Sequence, residues 1–489
     1  MQQFIKYGLP LLIAVGLIIG LGFWEFFFKL SDFVVFLVIV LFSTSFLILV
    51  KCAEWRWAKH IGFVLSACIC LYIATGTGFL QGRMSIGIIA SVYQTNHNEA
   101  LEFLSVVQYK YIAYSLVLLA LSAYYFYKLP KPYQFKFPRY LAILLIVLNV
   151  FNLFFVQTAR AVIKYKKEEA ILYAGQEIKP DWQVSKVTYP YNNQIVIIGE
   201  SVQRNYLSLY GYPEKTTPFL DRMPVTVVDD YVSTSANTAT SLPRTLAYMD
   251  DKRHIRSSMN VVTLANQAGY NTIWISNQGF VGKNDTNISQ IAIHAKHQFF
   301  LKSGNYMSED IDDDHMLNIL SNQLKKYKGE KNIIFIHMMG SHPDACERLF
   351  KSPRLYPKKT EAMNCYLSSI NKLDGFIEKA YKQLQKTKGS FNITYFSDHG
   401  MTVSDSGIYV DNDHKENYQV PFFVLSSDAK AKKYLDKRVS AYQYLDIYAG
   451  LIGVETPFLN KENQLEKLKN NEDVTVFDWE NYVPYRHLK

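Results

Sequence analysis

Glu200, Thr238, Asp398 and His399 are the side chains of this chain best suited to chemistry. Glu200 follows the apolar run Ile195-Val196-Ile197-Ile198-Gly199, and Ser397-Asp398-His399-Gly400 follows the run Asn392–Phe396. Two carboxylates and an imidazole make an oxygen and nitrogen set suited to Zn2+ or Mn2+. Acids and histidines in loops are usually just solvated. The stronger reading rests on both groups falling where a buried strand ends, which is where open α/β sheets bind ligands. Thr238 lies in Ser233-Thr234-Ser235-Ala236-Asn237-Thr238-Ala239-Thr240-Ser241-Leu242-Pro243, a stretch dense in hydroxyls and poor in bulk. The stretch also reads as a Ser/Thr-rich turn before a helix capped by Ser241. The two readings are compatible, since a helix N-terminus attracts phosphate. A threonine hydroxyl is a weak nucleophile at neutral pH, and a divalent cation can make it competent. A third run leads into His337-Met338-Met339-Gly340-Ser341-His342. His337 lies on the strand and reads as a packed, hydrogen-bonded histidine; His342, in the loop, is the candidate for binding phosphate or donating a proton.

These groups need strands to hold them. Ile195–Gly199, Thr272–Ser276, Asn332–Met338, Asn392–Phe396 and Pro421–Leu425 are continuous apolar runs of strand length. Such runs suit strands buried on both faces. Helical patterns lie between them, the clearest over Glu361–Gln385 with Tyr366, Ile370, Leu373, Ile377 and Tyr381 at spacings of three and four. The alternation predicts an α/β domain with a mainly parallel sheet over 193–489, preceded by a charged linker at 158–192.

Residues 1–157 are different in kind. Leu9–Phe28, Phe33–Val50, Ile61–Leu80, Tyr111–Tyr127 and Pro138–Gln157 are apolar enough to predict five transmembrane helices. No small-residue cleavage site follows the first, so it reads as a span and not as a removable leader. Lys51, Arg56 and Lys59 lie in one short connection, and Lys128, Lys131, Lys136 and Arg139 in another. Basic loops stay cytoplasmic, so the α/β domain is expected outside. Residues 1–160 carry 12 Lys+Arg and 5 Asp+Glu, whereas the remaining 329 carry 40 and 38. The basic balance therefore belongs to membrane flanks, and no nucleic-acid partner is expected. Cys52, Cys68 and Cys70 read as apolar fillers. Cys346 and Cys365, in the exported half, read either as a disulfide or as two buried thiols. An outside loop at about 81–109 holds a polar cluster with Asn96 and Glu99, which reads either as solvated or as a lipid-headgroup contact.

Taken together, these motifs resemble the phosphoethanolamine transferases of Gram-negative bacteria, membrane members of the alkaline phosphatase/sulfatase superfamily. The resemblance rests on Ile198-Gly199-Glu200-Ser201, Arg204, Ser208-Leu209-Tyr210-Gly211-Tyr212, Thr216-Thr217-Pro218, the Thr-Ala-x-Ser-x-Pro string at 238–243, Gly340-Ser341-His342 and Ser397-Asp398-His399-Gly400, in family order. The Cys346…Asn364-Cys365-Tyr366 stretch resembles the branch that modifies lipopolysaccharide core or surface glycans. The resemblance implies a five-helix membrane bundle joined to a sulfatase-like α/β/α domain in the periplasm, with the chain held in the inner membrane. It implies that Glu200, Thr238, Asp398 and His399 hold zinc and that Thr238 takes phosphoethanolamine from phosphatidylethanolamine. A lipopolysaccharide or glycan acceptor then receives the group. It further implies phosphate or proton work for His342 and substrate contacts from Asn96, Glu99, Asn277 and Lys283. The chain departs from the family at Gln419, where several members carry histidine; His414, five residues earlier, is the candidate replacement, and a second zinc would depend on it. A glycerophosphotransferase using phosphatidylglycerol shares every feature up to the donor headgroup. A sulfatase is disfavoured because Ser241-Leu242-Pro243-Arg244 places the arginine one residue early. A transporter is disfavoured because most of the spans lack charges along which an ion could pass.

Overall fold

The computed structural model describes residues 3–26, 33–53, 55, 57–77, 84–95, 97–131, 153–175, 179–278, 288–302, 310–404, 407–460 and 465–489. The chain divides into two compact units, residues 1–89 with 103–164 and residues 90–102 with 165–489.

The first unit is helical. Helices Leu9–Phe26, Phe33–Cys52, Ala58–Ala74 and Tyr109–Ala123 cover the first four apolar stretches. The fifth, Pro138–Gln157, lies mostly outside the described residues, so five spans are not established. Among the described residues one helix, Phe4–Gly22, is long and apolar enough to cross a membrane, and Ser43–Cys52 and Ala58–Ala74 are shorter apolar helices. Val64, Leu71, Leu116 and Val117 of this unit are all more than half exposed. Water disfavours that much outward-facing hydrocarbon.

The second unit is built on one eight-stranded sheet. In chain order its strands are β1 (Asn193–Gly199), β2 (Val225–Val232), β3 (Asn271–Ser276), β4 (His297–Phe300), β5 (Asn332–His337), β6 (Phe391–Ser397), β7 (Gln419–Ser426) and β8 (Lys433–Ser440). They lie side by side as β8-β2-β7-β6-β1-β5-β3-β4. The sheet is mixed: β7 runs antiparallel to both β2 and β6, and the other five pairings are parallel. The connection from β6 to β7 contains a small hairpin, Thr402–Ser404 with Gly407–Tyr409, and no crossover helix. A chain that turns back without crossing over must pair antiparallel, which qualifies the expected mainly parallel sheet.

Side-chain alternation along the strands divides the core in two. Val196, Ile198, Trp274, Phe335 and Phe396 face one side, covered by helices α1 (Thr238–Leu246), α2 (Val261–Gln267) and α5 (Tyr444–Ile452). Ile195, Ile197, Ile275, Ile336 and Tyr395 face the other, covered by α3 (His315–Lys326) and α4 (Glu361–Lys386). Each fully buried Ile or Phe contributes roughly 1.5–3 kcal/mol. Both faces need hydrocarbon, so the central strands are apolar throughout. The edge strand β8 carries Lys433, Asp436, Lys437 and Arg438 instead, and charges of this kind keep an edge from pairing with another chain.

Candidate metal centre and its supports

The centre sits just past the carboxyl ends of β1 and β6. Gly199 pairs with Ser397 across these neighbours, so Glu200 and Asp398 leave the sheet side by side. Ser201 then adopts a left-handed φ of 59° and turns the chain away. One ligand atom from each of Glu200, Asp398 and His399 falls within 4.8 Å of the others, and all three residues are buried. His399 Nε2 lies 3.2 Å from Glu200 Oε1 and 3.7 Å from Asp398 Oδ2. Its Nδ1 is 2.8 Å from the Gly400 carbonyl, which can only accept, so Nδ1 carries the proton and Nε2 faces the carboxylates.

The donors around these acids leave a gap. Ser201 Oγ donates to Glu200 Oε1 at 2.6 Å, and Thr238 Oγ1 donates to Glu200 Oε2 at 2.9 Å. The Ser201 and His399 amides donate to Asp398 Oδ1 at 3.2 and 2.7 Å. Asp398 Oδ2 is buried and has no hydrogen-bond partner. Burial, and then the Glu200 charge, push the Asp398 carboxyl up to about 7. For Glu200, the hydrogen bond and charge of His399 outweigh burial and hold the carboxyl well below its usual range. Burial disfavours a charged His399 ring, but Asp398 and Glu200 outweigh it and push the imidazole up to about 9. The pocket thus calls for positive charge beside an oxygen that lacks a donor. Two carboxylates and an imidazole converging there fit a divalent cation such as zinc.

Thr238 is the first residue of α1. The Asn237 side chain caps the helix by accepting the Thr240 amide at 3.1 Å. Ser241 Oγ donates to the Asp398 carbonyl at 2.7 Å, with Ser233 Oγ bonded to the same oxygen. The hydroxyl-rich stretch therefore stitches the start of α1 to the β6 turn. At the other end of α1, buried Arg244 pairs with Glu168 at 3.0 Å and lies over the Phe477 ring.

The His342 loop closes another side. The Ser341 amide donates to the Glu200 carbonyl at 3.0 Å. Gly340 has φ +54°, and a Cβ there would meet Glu200 backbone atoms at 2.9–3.0 Å, so only glycine fits this approach. The His342 ring is held at its Nδ1, which donates to the Pro343 carbonyl at 2.7 Å. His337 is a core residue: burial pushes it down to about 4, and its Nδ1 shares a hydrogen bond with Ser276. Cys346 and Cys365 form a disulfide between this loop and α4. In turn the Tyr366 hydroxyl of α4 donates to the Ser201 carbonyl and accepts the Gln203 amide, both at 2.9 Å.

Two supports were not singled out from sequence. Buried Asp313 accepts the Met339 amide at 3.0 Å and the Gly340 amide at 2.9 Å. Buried Arg348 pairs with Asp310 at 2.8 Å and reaches the carbonyls of His342 and Pro343. Asn277 donates to Asp313 and to the Ile311 carbonyl, so its amide nitrogen braces this loop. His414 is hydrogen-bonded to Asp411 at 2.9 Å and is not part of the three-ligand group. Gln419 bridges Asn205 and the Tyr485 hydroxyl, each at 3.0 Å. Asn96 and Lys283 lie outside the described residues. So does the side chain of Glu99, whose backbone is in helix His97–Val106.

Residues 192–454 match the family model described as Sulfatase. The chain is 34% identical over 319 residues to phosphoethanolamine transferase OpgE of Escherichia coli, an alignment covering 64% of this chain and 60% of that protein. It is 32% identical over 350 residues to a putative phosphoethanolamine transferase of Haemophilus influenzae, covering 67% and 71% respectively. Among solved structures, the integral membrane lipooligosaccharide phosphoethanolamine transferase A of Neisseria meningitidis matches 94% of this chain and 96% of its own, with a TM-score of 0.60 and 17% identity. The periplasmic domain of Escherichia coli EptC in complex with Zn matches 64% of this chain and 98% of its own, with a TM-score of 0.56 and 20% identity.

Proposed function

The chain belongs to the sulfatase family, and from that premise we propose that it is a metal-dependent phosphoethanolamine transferase of the bacterial cell envelope. Its relatives named phosphoethanolamine transferase support the activity. The integral membrane and periplasmic-domain neighbours support an inner-membrane anchor and a periplasmic catalytic domain, and we assign five helices to 1–157, a linker to 158–192 and the catalytic domain to 193–489. The observation that carries the reading is the Thr238 hydroxyl at the start of α1, 2.9 Å from Glu200 Oε2 and beside the buried acid–histidine group.

Glu200, Asp398, His399 and Thr238 would hold one zinc. A bound divalent cation supplies charge that lowers the pKa of a neighbouring hydroxyl. Glu200 Oε2 accepts the Thr238 hydroxyl hydrogen bond and so holds Oγ1 at the acid–histidine group. Thr238 Oγ1 forms a bond to the phosphorus of phosphatidylethanolamine, the bond from phosphorus to the diacylglycerol oxygen breaks, and diacylglycerol leaves with a proton. The positive end of α1 faces the phosphate. A hydroxyl or protonated phosphate oxygen of a lipopolysaccharide or glycan acceptor then displaces Thr238, and the acceptor's own proton passes to Oγ1, while the proton Thr238 first lost has left on diacylglycerol. His342, held at the rim, serves phosphate or the leaving oxygen. Asn96, Glu99, Lys283 and His414 contact substrate in this reading, and Asn277 acts through the loop it braces.

Intact-mass analysis of the full chain after incubation with phosphatidylethanolamine tests this. The expected result is a gain of one phosphoethanolamine group that is absent from Thr238→Ala. A gain of phosphoglycerol from phosphatidylglycerol would replace the donor, and equal labelling of Thr238→Ala would overturn the nucleophile.

A further inference from the structure

Residues 348–360 run Arg-Leu-Phe-Lys-Ser-Pro-Arg-Leu-Tyr-Pro-Lys-Lys-Thr, with five cations and no acid. Large apolar side chains are almost all buried between residues 179 and 489. Among the described residues there, the exposed ones are Phe350 at 43%, Leu355 at 45% and Tyr434 at 51%. Two of these three lie on this one loop, interleaved with exposed Lys351, Arg354, Lys358 and Lys359.

The loop is not loose. The disulfide ties its base to α4, and buried Arg348 is held by Asp310. Buried Tyr356 donates its hydroxyl to the Lys215 carbonyl at 2.9 Å and its amide to Asn364 Oδ1 at 2.8 Å. The Leu355 amide donates to Ser368 Oγ at 2.9 Å. These anchors are fixed while Phe350 and Leu355 keep nearly half of their surface exposed, with the Lys372 ammonium 4.8 Å from the Phe350 ring centre. Part of the charge is also unspent. Arg354 pairs with Glu361 at 2.6 Å and Lys359 with Glu214 at 3.9 Å, whereas Lys351 and Lys358 form no ion pair among the described residues.

We propose that residues 350–359 form a docking face for a bilayer containing anionic phospholipid. Phe350 and Leu355 enter the headgroup boundary, and the lysines lie against lipid phosphates. Charge complementarity argues for an anionic partner. The interleaved phenyl and isobutyl groups argue for a lipid and against a sugar phosphate, since a sugar phosphate offers no hydrocarbon to receive them. Two side chains and two lysines bind a vesicle weakly alone. This chain also carries Phe4–Gly22, apolar and long enough to span a bilayer, so a membrane would already be present at high effective concentration. Because the loop opens at His342, docking there would bring the candidate site to the surface where a lipid donor lies. The docking face itself does not depend on which donor is used.

Hydrogen exchange of the full chain tests the assignment without reading catalysis. The chain is placed in phosphatidylcholine nanodiscs with and without phosphatidylglycerol. The amides of Lys351, Arg354 and Lys358 are expected to slow when phosphatidylglycerol is present, by roughly fivefold for each basic contact made. The slowing should vanish in Phe350→Ser with Leu355→Ser. It should also vanish in Lys351→Glu with Lys358→Glu, which leaves Tyr356 and Asn364 untouched; unchanged exchange in β1 and β6 confirms that both variants fold. Equal exchange in the two lipid mixtures would overturn the proposal. Slowing by a soluble anionic glycan but not by lipid would also overturn it and assign the face to an acceptor.

Discussion

Asp398–His399 and Asp411–His414 are both buried acids facing an imidazole, yet they spend their oxygens differently. At Asp411 both are in use: Oδ1 accepts the amides of Asp413 and His414, and Oδ2 accepts Thr402 Oγ1 and meets His414 Nδ1. That pair is self-sufficient and braces the turn it belongs to. At Asp398 a second carboxylate crowds the same ring, and Oδ2 has no hydrogen-bond partner. Spare coordinating capacity therefore separates a place for a cation from a brace, while burial and an acid–histidine pairing are common to both.

The largest effect that could break this contrast is on metal content. Asp398→Asn keeps the volume and removes the charge, and should lose bound zinc outright. Transfer should fall by more than the roughly 10–100-fold typical of residues that only support a ligand. His414→Gln should keep its metal. Elemental analysis of both purified variants decides it, and equal metal loss would erase the distinction.

Asp313 is a third buried acid and resembles Asp411 in being fully used. Asp313→Ala strands the Met339 and Gly340 amides, at about 1–3 kcal/mol for each buried group left without a partner. Denaturant unfolding should register that loss, and transfer should fall too because the His342 loop slackens. Asp313→Asn keeps one acceptor and should recover part of both. Full activity in Asp313→Ala would show that His342 needs no such brace.

The same loop has a covalent support. Cys346 and Cys365 are 19 residues apart, and a bridge of that span is worth about 3 kcal/mol. Cys346→Ala with Cys365→Ala should melt well below the parent chain. Unchanged melting would mean that the ion pairs of Arg348 with Asp310 and of Lys372 with Asp312, each at 2.8 Å, suffice.

The smallest effect is a pH dependence. The hydrogen bond that His414 Nδ1 donates to Asp411 raises the His414 pKa above its ordinary 6.5. The stabilisation is fully present below that value and is lost as pH rises through the folded pKa. Burial raises Asp411, but His414 outweighs it and holds the acid low, so stabilisation also falls when acid reaches that lower value. The melting difference between the parent chain and His414→Gln should therefore shrink from mildly acidic to alkaline solution. A flat difference would show that the ring carries no charge.

Much of this was legible because the chemistry sits on the most regular elements. β1, β3, β5 and β6 are apolar on both faces, and their ends mark Glu200, Asn277, His337 and Asp398. β2, β4 and β8 do not stand out as strands in the sequence: Asp229 and Asp230 interrupt the first, the second is only the four residues His297–Phe300, and Lys433, Asp436, Lys437 and Arg438 make the third look like a surface loop. The direction of β7 was implicit in the missing helix between β6 and β7. Asp313 was hidden for another reason. It stands in Asp310-Ile311-Asp312-Asp313-Asp314, which reads as a solvated acidic run, and only the fold shows it turned inward to backbone amides of β5's following loop.

The candidate centre also imposes an order on the making of the molecule. Thr238 lies 38 residues after Glu200, so a growing chain can bring that pair together early. The bond from Ser241 to the Asp398 carbonyl spans 157 residues, and it joins α1 to a turn synthesised near the end. A half-made chain therefore holds one carboxylate and a hydroxyl, too few donors to keep a cation. The three candidate ligands exist together only once synthesis has passed His399, so under the proposed function a cation would be loaded after most of the domain has been made.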